Sequence, residues 1–527
     1  MTKTKLSNTK FLIILSLLIS LLISIIYSNS LTGEFAFDDE FLIVKNKDIR
    51  DIQNIKAVLF HSLKIPQRPV TSLSFAVDYH FWGLSPQGYH LSNIIFYITS
   101  ILLLTILVHL ILENRLLTTL FAFFFATHPI HTETVSSLLG RSELLSSIFL
   151  TLGFIFYFYF RKKGGKVKIL FYLLSVGSYL LAMLSKETGV ILVGLIILYE
   201  LCFLKDSGFS KKIIPSIPFF ACAIVYALFW KYSTHFSVNS FTFLSGSFFS
   251  KSLMMVKVAS KYILRLFFPV NLCAWYSISP ANSFLYPKLV ILLAVITISL
   301  SIYLSYRYSR KFFFFLVWAY LSFIPISNLI PIPGSMMAER WVYIASAGFC
   351  GLLAVISEKV FNKKSYYIIS SALLAAIVLF YSIRTVERNS IFKNDFTIFT
   401  DIVRCCPGYA PAHNSLGVVL VRQGKYNQAI SEFNLALNIY PNYDRPHHDL
   451  GKIYMIQGKT ENALREFIKA VKLNSKNTEY RYWLGSAFLK TGNIDKALVE
   501  YREFLRLALK EDRRVEKVKN IIASYGN

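Results

Sequence analysis

The sequence predicts an all-α fold, in which a polytopic bundle of membrane-spanning helices is followed by a short α-solenoid. The 527-residue chain is 54% hydrophobic and has a mean hydropathy of +0.49, which excludes an ordinary soluble protein. Apolar runs of membrane-spanning length, ~17–25 residues each, recur up to about residue 383. From about residue 410 the pattern changes to a repeat whose residues recur 34 positions apart.

The apolar runs predict about 11 spans. The first follows a basic start (Lys3, Lys5, Lys10) and has no small-x-small cleavage site, so it is interpreted as an uncleaved signal anchor. The predicted spans are 11–28, 92–112, 115–127, 142–160, 166–184, 187–204, 213–232, 285–306, 312–328, 341–358 and 366–383.

The loop charges predict the topology. With the N-terminus inside, alternation places four basic clusters on the inner face, as the positive-inside rule requires; they are 161–166, 205–212, 307–311 and 359–364. The polar stretches 29–91, 128–141, 185–187, 233–284 and 329–340 and the repeats then lie outside. This holds if 233–284 crosses the membrane zero or two times. Lys257, Lys261 and Arg265 are four residues apart on one helical face, which favours an amphipathic interfacial helix over 251–269.

The excess of basic residues does not indicate nucleic acid. The chain has 56 Lys+Arg against 30 Asp+Glu, a net charge of +26. Most of these cations before the C-terminal third lie in short loops between apolar runs, where they set topology and attract anionic lipid. We therefore expect membrane lipid, and no nucleic acid, as a partner. The six cysteines have no zinc-ligand spacing.

The C-terminal repeat is of the tetratricopeptide type. Small and aromatic residues recur in one register, and such residues let paired helices approach closely. The recurring residues are Leu416-Gly417, Leu450-Gly451 and Leu484-Gly485, then Ala429, Ala463 and Ala497, then Phe433, Phe467 and Tyr501. We predict a multi-span domain over 1–383, a linker helix over 384–408, and about three repeats over 409–527 that end in a solvating cap helix.

The candidate site centres on Phe37-Asp38-Asp39-Glu40, just after the first span. Three adjacent carboxylates must stay hydrated or find cations, so this loop lies at the aqueous edge of the membrane, where a membrane enzyme would keep a base. The alternative is a solvated acidic turn or, for the other charged pairs, local interfacial charge. Further polar residues fall on the same predicted side, which indicates a shared polar cavity; they are Arg68, His128, His131, Glu133, Arg141, Lys186, Glu187, Glu339 and Arg340.

His128, His131 and Glu133 also resemble part of a zinc site. Pro129 disrupts a regular helix between the imidazoles, and no second cluster completes the ligand set. We expect no metal and no other cofactor. The imidazoles are then expected to hydrogen-bond a phosphate or a sugar.

Together these motifs resemble the transmembrane-and-tetratricopeptide O-mannosyltransferase family of GT-C-fold glycosyltransferases. The resemblance covers nearly the whole chain in the same order: 37–40 (FDDE), 68–75 (RPVTSLSF), 88–93 (GYHLSN), 128–133 (HPIHTE), 140–144 (GRSEL), 184–187 (LSKE), 268–269 (FP), 276–277 (YS), 338–340 (AER) and 388–389 (RN). Eukaryotic members carry more repeats, which suggests a bacterial member in the plasma (inner) membrane with its repeats on the outer side. The alternative is the endoplasmic reticulum membrane with lumenal repeats.

The resemblance implies transfer of a sugar, with mannose as the candidate, from a polyprenyl-phosphate donor to an acceptor hydroxyl, such as Ser or Thr of a protein held by the repeats. It implies Asp39, or Asp38 beside it, as general base and Glu133 as its partner or an orienter of the acceptor. Donor phosphate or sugar contacts are expected from Arg68, His128, His131, Arg141, Lys186, Glu187, Glu339 and Arg340. The rival classes are a membrane-anchored repeat scaffold, which needs only one span, and a transporter, which would place charges at mid-span.

Overall fold

The structure, a computed structural model, describes residues 7–60, 68–204, 208–233, 248–278, 287–327, 336–509 and 511–525. Within these ranges every regular element is helical and no strand occurs, which confirms the predicted all-α class. The chain divides into two compact units, Met1–Asn394 and Asp395–Asn527. The boundary falls within the segment 384–408 that the sequence predicts as a linker helix.

The first unit contains helices α1 to α16. Their bounds are α1 Asn8–Ile26, α2 Ile55–Phe60, α3 Pro69–Trp82, α4 Pro86–Leu112, α5 Arg115–Thr127, α6 Thr132–Ser136, α7 Arg141–Lys162, α8 Gly165–Ser185, α9 Leu192–Phe203, α10 Phe209–Ile213, α11 Ile217–Ser233, α12 Phe248–Phe267, α13 Pro287–Tyr308, α14 Arg310–Phe323, α15 Tyr343–Phe361 and α16 Tyr367–Asn389.

Eight helical segments in the described ranges are long and apolar enough to cross a membrane, so the chain is a multi-pass membrane protein. They are Asn8–Ile26, Pro86–Leu112, Leu138–Lys162, Gly165–Ser185, Ser210–Lys231, Lys288–Tyr308, Glu339–Phe361 and Tyr367–Phe392. The other three predicted spans correspond to shorter helices, α5, α9 and α14. The last two are extended by 3-10 turns, Glu187–Ile191 before α9 and Ile324–Ile326 after α14.

Two glycines of α15 allow this helix to pack closely against α14. Gly351 of α15 faces the ring of Phe315 on α14, and a Cβ at Gly351 would lie 2.1 Å from Phe315 Cδ1. The same two helices meet at Gly348, where a Cβ would lie 2.7 Å from the Phe315 carbonyl oxygen. Because lipid supplies no hydrophobic force between helices, such backbone approach is how membrane helices gain packing energy.

The second unit contains α17 Asp395–Cys405, α18 Ala410–Arg422, α19 Tyr426–Ile439, α20 Asp444–Ile456, α21 Thr460–Leu473, α22 Thr478–Lys490, α23 Ile494–Leu507 and α24 Arg514–Tyr525. The pairs α18/α19, α20/α21 and α22/α23 are the three predicted repeats. In the first pair, the Phe433 ring packs so closely against Gly417 that a Cβ on this glycine would lie 2.5 Å from Phe433 Cε1. The other two pairs have the same contact between a glycine and an aromatic ring. The last helix, α24, covers the end of the array with the fully buried Val518.

Candidate active site

The acidic loop follows α1 and begins in a strained turn. Phe37 has a φ of +56°, a conformation that non-glycine residues rarely adopt. Asp39 is only 4% exposed, and its Oδ2 accepts a hydrogen bond from the Ala36 backbone N–H at 3.0 Å, so it stabilises the turn. A five-residue π-helix follows over Glu40–Val44. Such strain and π-helical geometry often accompany function.

Asp38 differs from its neighbour. It is half-buried, and its carboxylate makes no hydrogen bond with any residue that the structure describes. Burial raises the pKa of the Asp38 carboxyl, and the positive charge of Arg340 opposes part of this rise. A half-buried carboxylate with unused acceptor capacity and a nearby cation has the chemistry of a general base. The structure therefore favours Asp38 over Asp39 for that role.

Glu133 holds Arg340 next to this carboxylate. Glu133 lies on the short helix α6 and is 2% exposed. Its Oε2 accepts from the Arg340 backbone N–H at 3.0 Å, and its Oε1 pairs with Arg340 Nη1. One carboxylate thus fixes both the backbone and the side chain of Arg340, and the Arg340 side chain stays 18% exposed. The predicted residues Asp38, Glu133 and Arg340 come together here.

Glu339, the neighbour of Arg340, faces the protein interior. It is fully buried, and its Oε2 pairs with Arg388 Nη2 of α16 at 2.7 Å. Its Oε1 accepts from the Cys273 N–H at 2.8 Å and from the Tyr276 hydroxyl. Glu339 therefore joins α16 and the segment after α12 to the 3-10 turn that carries Arg340, and it presents no free oxygen to a ligand.

Three residues that support this turn have no role predicted from the sequence. Arg388 and Tyr276 hold Glu339, and the Tyr262 hydroxyl of α12 donates to the Ala338 carbonyl at 2.8 Å and accepts from its N–H at 3.1 Å. These partners are separated by 49 to 76 positions in the chain. The short motifs at 276–277 and 388–389 marked two of them, but no local spacing rule connects them to Glu339.

A second charged cluster joins α3, α7 and the start of the turn before α9. Arg68 binds Glu187 through two nitrogens, Nη2 to Oε1 at 2.9 Å and Nε to Oε2 at 3.3 Å. Lys186, 2% exposed, pairs with the buried Glu143. Burial lowers the pKa of Lys186 despite Glu143. For Glu187, burial alone would raise the pKa, but the charges of Arg68 and Lys186 hold it below the usual value.

A small cleft of about 20 Å³, enough for roughly one water molecule, lies beside Arg68. Its lining is Leu42, Asn46, Ile49, Arg68, Thr71, Ser72, Phe75, Leu139 and Ser142. Leu42 belongs to the π-helix that follows the acidic loop, so one residue of that segment lines the cleft together with Arg68. The predicted ligand contacts of Arg68, Lys186 and Glu187 stay predictions, since each of these side chains is paired with another protein residue here.

Arg141 lies entirely in the interior. Its Nη1 pairs with Asp78 Oδ2 at 2.6 Å, its Nε donates to Asn93 Oδ1 at 2.8 Å, and its Nη2 donates to the Tyr89 carbonyl at 2.9 Å. The guanidinium also lies 4.4 Å from the centroid of the Phe75 ring. With 0% exposure, it fastens α3 and α4 to α7, and this geometry gives no support to its predicted role as a phosphate clamp.

The two histidines are also buried and bonded on both ring nitrogens. His128 Nδ1 accepts from the Ile130 N–H at 3.2 Å, so its Nε2 carries the proton and donates to the Leu266 carbonyl at 3.0 Å. Burial lowers the pKa of His128 to about 4 and that of His131 well below its usual value. His131 lies between the Tyr97 hydroxyl at 3.0 Å and Ser346 Oγ at 2.7 Å. All four ring nitrogens are therefore bonded to protein groups, and none is open to the predicted contact with a sugar or phosphate.

Comparison with known proteins agrees with both halves of this description. The family models "TPR repeat", at residues 417–458 and 451–492, and "Tetratricopeptide repeat", at 478–511, match the second unit, which is a tetratricopeptide array. About four fifths of the chain is similar to proteins named protein O-mannosyl-transferase, which confirms the resemblance that the motifs indicate.

Two of these relatives give the extent of the similarity. Human TMTC3 is 28% identical over 469 residues, 78% of this chain and 50% of that protein. Protein F38B6.6 of Caenorhabditis elegans is 28% identical over 462 residues, 80% of this chain and 62% of that protein. The chain thus spans about half the length of the curated relatives it matches. Among solved structures, ArnT from Cupriavidus metallidurans has 15% identity and a TM-score of 0.40, with 82% of this chain and 76% of ArnT covered.

Proposed function

We propose that this protein is an integral-membrane glycosyltransferase of the GT-C type. It moves a sugar, with mannose as the first candidate, from a polyprenyl-phosphate donor to a serine or threonine hydroxyl of a protein on the outer face of the membrane. The observation that carries the proposal is the Asp38 carboxylate, which is half-buried, unbonded among the described residues and acted on by Arg340. The names of the relatives support the choice of mannose.

In the proposed reaction the acceptor oxygen attacks C1 of the sugar and its proton passes to the Asp38 carboxylate. The bond between C1 and the phosphate oxygen breaks, and the polyprenyl phosphate leaves with the electron pair. Arg340 compensates the charge that develops on this phosphate, because a guanidinium binds phosphate oxygens through two donors. Glu133 fixes Arg340 before the donor arrives, so little reorganisation is needed during the reaction.

The test is transfer by the purified protein in nanodiscs, supplied with polyprenyl-phosphate mannose, glucose or galactose and a serine- and threonine-containing acceptor. We expect one of these donors to be used, with the product linked to a hydroxyl. The matched control is Asp38→Asn, which keeps the shape of the side chain. A wild-type protein that transfers from none of the donors would contradict the proposal and favour the repeat-scaffold alternative. An Asp38→Asn variant that transfers as well as wild type would contradict the assignment of Asp38 as the base.

The proposal places the acidic loop and the repeats on the outer side. The motivation is that all four predicted inner loops are basic. A protease cleavage site inserted between Gly164 and Gly165 should resist external protease in intact cells, whereas a site inserted at Gly424 should be cut. Both sites should be cut after detergent solubilisation. Cleavage at Gly164 but not Gly424 in intact cells would show the opposite orientation.

The array is expected to supply acceptor binding. Stacked repeats form an extended surface suited to a peptide, and three repeats make a short one, so affinity should be weak. Tethering to the membrane unit still raises the local concentration of a bound acceptor. A chain ending at Asn394 should therefore retain slow transfer to a short peptide and lose most of its transfer to a long protein acceptor.

The control for this truncation is its thermal unfolding temperature in detergent. Equal loss of activity toward short and long acceptors in a well-folded truncation would show that the array braces the membrane unit and does not select acceptors. Unchanged activity toward both would exclude a role of the array in transfer.

The acid side of the pH profile should report Asp38. A base acts only when deprotonated, and burial raises the pKa of this carboxyl above the usual aspartate value of about 3.9. We expect kcat/KM to fall as the pH decreases through that raised pKa, and the decline to be absent from the residual activity of Asp38→Asn. A profile that stays flat down to about pH 4 would contradict the base assignment.

Stability must be measured in the same pH range. The pKa of His128 is about 4 in the folded protein, against about 6.5 for an exposed imidazole. Between these values the unfolded chain binds more protons, so the free energy of unfolding decreases as the pH falls below about 6.5. Unfolding temperatures at each pH separate this loss from titration of Asp38.

A further inference from the structure

Helix α12 has three different sides. One side is buried against the protein and consists of Val258, Tyr262 and Leu266. Next to it lies a row of cations spaced four residues apart, Lys257, Lys261 and Arg265, each half-buried. The remaining side is apolar and exposed. The helix is not one of the eight spans identified in the described ranges.

Hydrogen bonds link one end of the cationic row to the candidate active site. Arg265 Nε donates to the Tyr276 hydroxyl at 2.9 Å, and Tyr276 donates to Glu339, the residue before Arg340. The arginine also lies 4.5 Å from the centroid of the Tyr276 ring. Arg265, at one end of the row, is therefore linked through Tyr276 and Glu339 to the 3-10 turn that carries Arg340.

The apolar side continues past the end of the helix. It consists of Ile263, Leu264, Phe267, Phe268 and Val270, which are 52%, 57%, 54%, 68% and 49% exposed. Exposed aromatic and aliphatic residues beside a cationic row are the pattern of a helix that lies at a lipid interface.

The C-terminal end of α12 reaches the depth of the spans. The Phe267 ring packs edge-on against Phe349 of α15 with 4.8 Å between centroids, and Phe349 lies six residues, about 9 Å, beyond the start of α15 at Tyr343. At this end the Leu266 carbonyl accepts from His128, and the Val270 carbonyl accepts from Arg384 of α16 at 2.8 Å. Bonding of these carbonyls allows the helix to end within the apolar layer.

We propose that α12 is the docking element for the lipid donor, an inference that rests on the proposed function. The donor phosphate lies along Lys257, Lys261 and Arg265 beside Arg340, and the polyisoprenoid chain runs over the apolar side from Ile263 to Val270. Two features favour this lipid over bulk lipid as the occupant. A polyprenyl phosphate has to place its phosphate at the site and its chain in the bilayer, and α12 joins a cationic row to an apolar edge at that place. The helix is also fixed to the Arg340 turn by Tyr262.

Labelling with a sugar-free polyprenyl phosphate that carries a diazirine on its chain tests the binding directly. The full-length protein is placed in phosphatidylcholine nanodiscs, irradiated, and the labelled peptide identified by mass spectrometry. We expect labelling within 251–278, reduced on the order of fivefold per removed charge in Lys257→Gln/Lys261→Gln. Lys168→Gln, an exposed lysine of α8, is the matched control and should label as wild type. Labelling of other segments, or equal labelling of the lysine variant, would overturn the inference.

Chain-length dependence tests the apolar side. In Ile263→Ser/Leu264→Ser the KM for a long-chain donor should rise while the KM for a two-isoprene donor stays unchanged. Leu173→Ser, at a 63% exposed position on α8, is the control. Equal KM changes for both donors would contradict a role of this side in holding the chain.

Two further comparisons separate the possible outcomes. If the lysine variant differs from wild type only in anionic phosphatidylglycerol nanodiscs, α12 binds bulk anionic lipid and donor docking is wrong. If wild type is labelled at α12 but transfers no sugar, docking stands and the transferase proposal fails. If sugar is transferred but labelling lies elsewhere, the transferase proposal stands and the docking inference fails.

Discussion

Asp38→Asn should lower sugar transfer by about 10²- to 10⁴-fold, the usual effect of losing a general base. The amide has nearly the same shape as the carboxylate but cannot accept the acceptor's proton. Because the Asp38 side chain makes no hydrogen bond to the described residues, the change should leave the unfolding temperature close to that of wild type. The measurement is the single-turnover rate with saturating donor, together with donor binding, which should persist.

Asp39→Asn is the matched control one position away. The amide oxygen of the substituted side chain can still accept from the Ala36 N–H, so the turn should be retained and transfer should fall by much less than in Asp38→Asn. Near-normal turnover of the Asp38 variant, with a large loss in the Asp39 variant, would reverse the assignment. Loss in both with lowered unfolding temperatures would indicate that the acidic loop had lost its structure.

The helical fold could be predicted from sequence because each signal behind it is local. Hydrophobic runs, loop charge and the 34-residue period are all read within one element or one repeat. The lengths of α9 and α14 were harder to predict from the sequence. Each begins or ends with a 3-10 turn, and hydropathy does not distinguish a 3-10 turn from the α-helix that it extends.

The residues that form the site could be predicted from the sequence, but the partner that each side chain binds could not. The motifs brought out Asp38, Glu133 and Arg340, which the structure places together. They gave equal weight to Arg141, His128 and His131, because a residue type does not reveal whether a side chain turns inward to bond helices or outward to a ligand. Ionisable groups buried in a membrane domain need polar partners, and those partners, such as Asp78 for Arg141, come from distant parts of the chain.

Arg340 is expected to have the second large effect. Replacing it by alanine should lower kcat by about 10²- to 10³-fold, as loss of one preorganised donor to a developing charge does. Arg340→Lys should recover little, because an ammonium lacks the planar pair of donors that a phosphate can engage. The donor's dissociation constant should change less than kcat if Arg340 acts mainly on the departing phosphate.

A substitution at Arg340 also removes the charged partner of the buried Glu133 carboxylate, and this loss by itself can destabilise the fold. The double variant Glu133→Gln/Arg340→Gln removes both charges and keeps polar groups of similar size, so it should restore the unfolding temperature but not the activity. Glu133→Gln alone should lower kcat less than the arginine variants, and it should cause no further loss when Arg340 is already absent, since its role is to hold that arginine. Full activity of the double variant would show that the pair is structural and that the phosphate is stabilised by other cations.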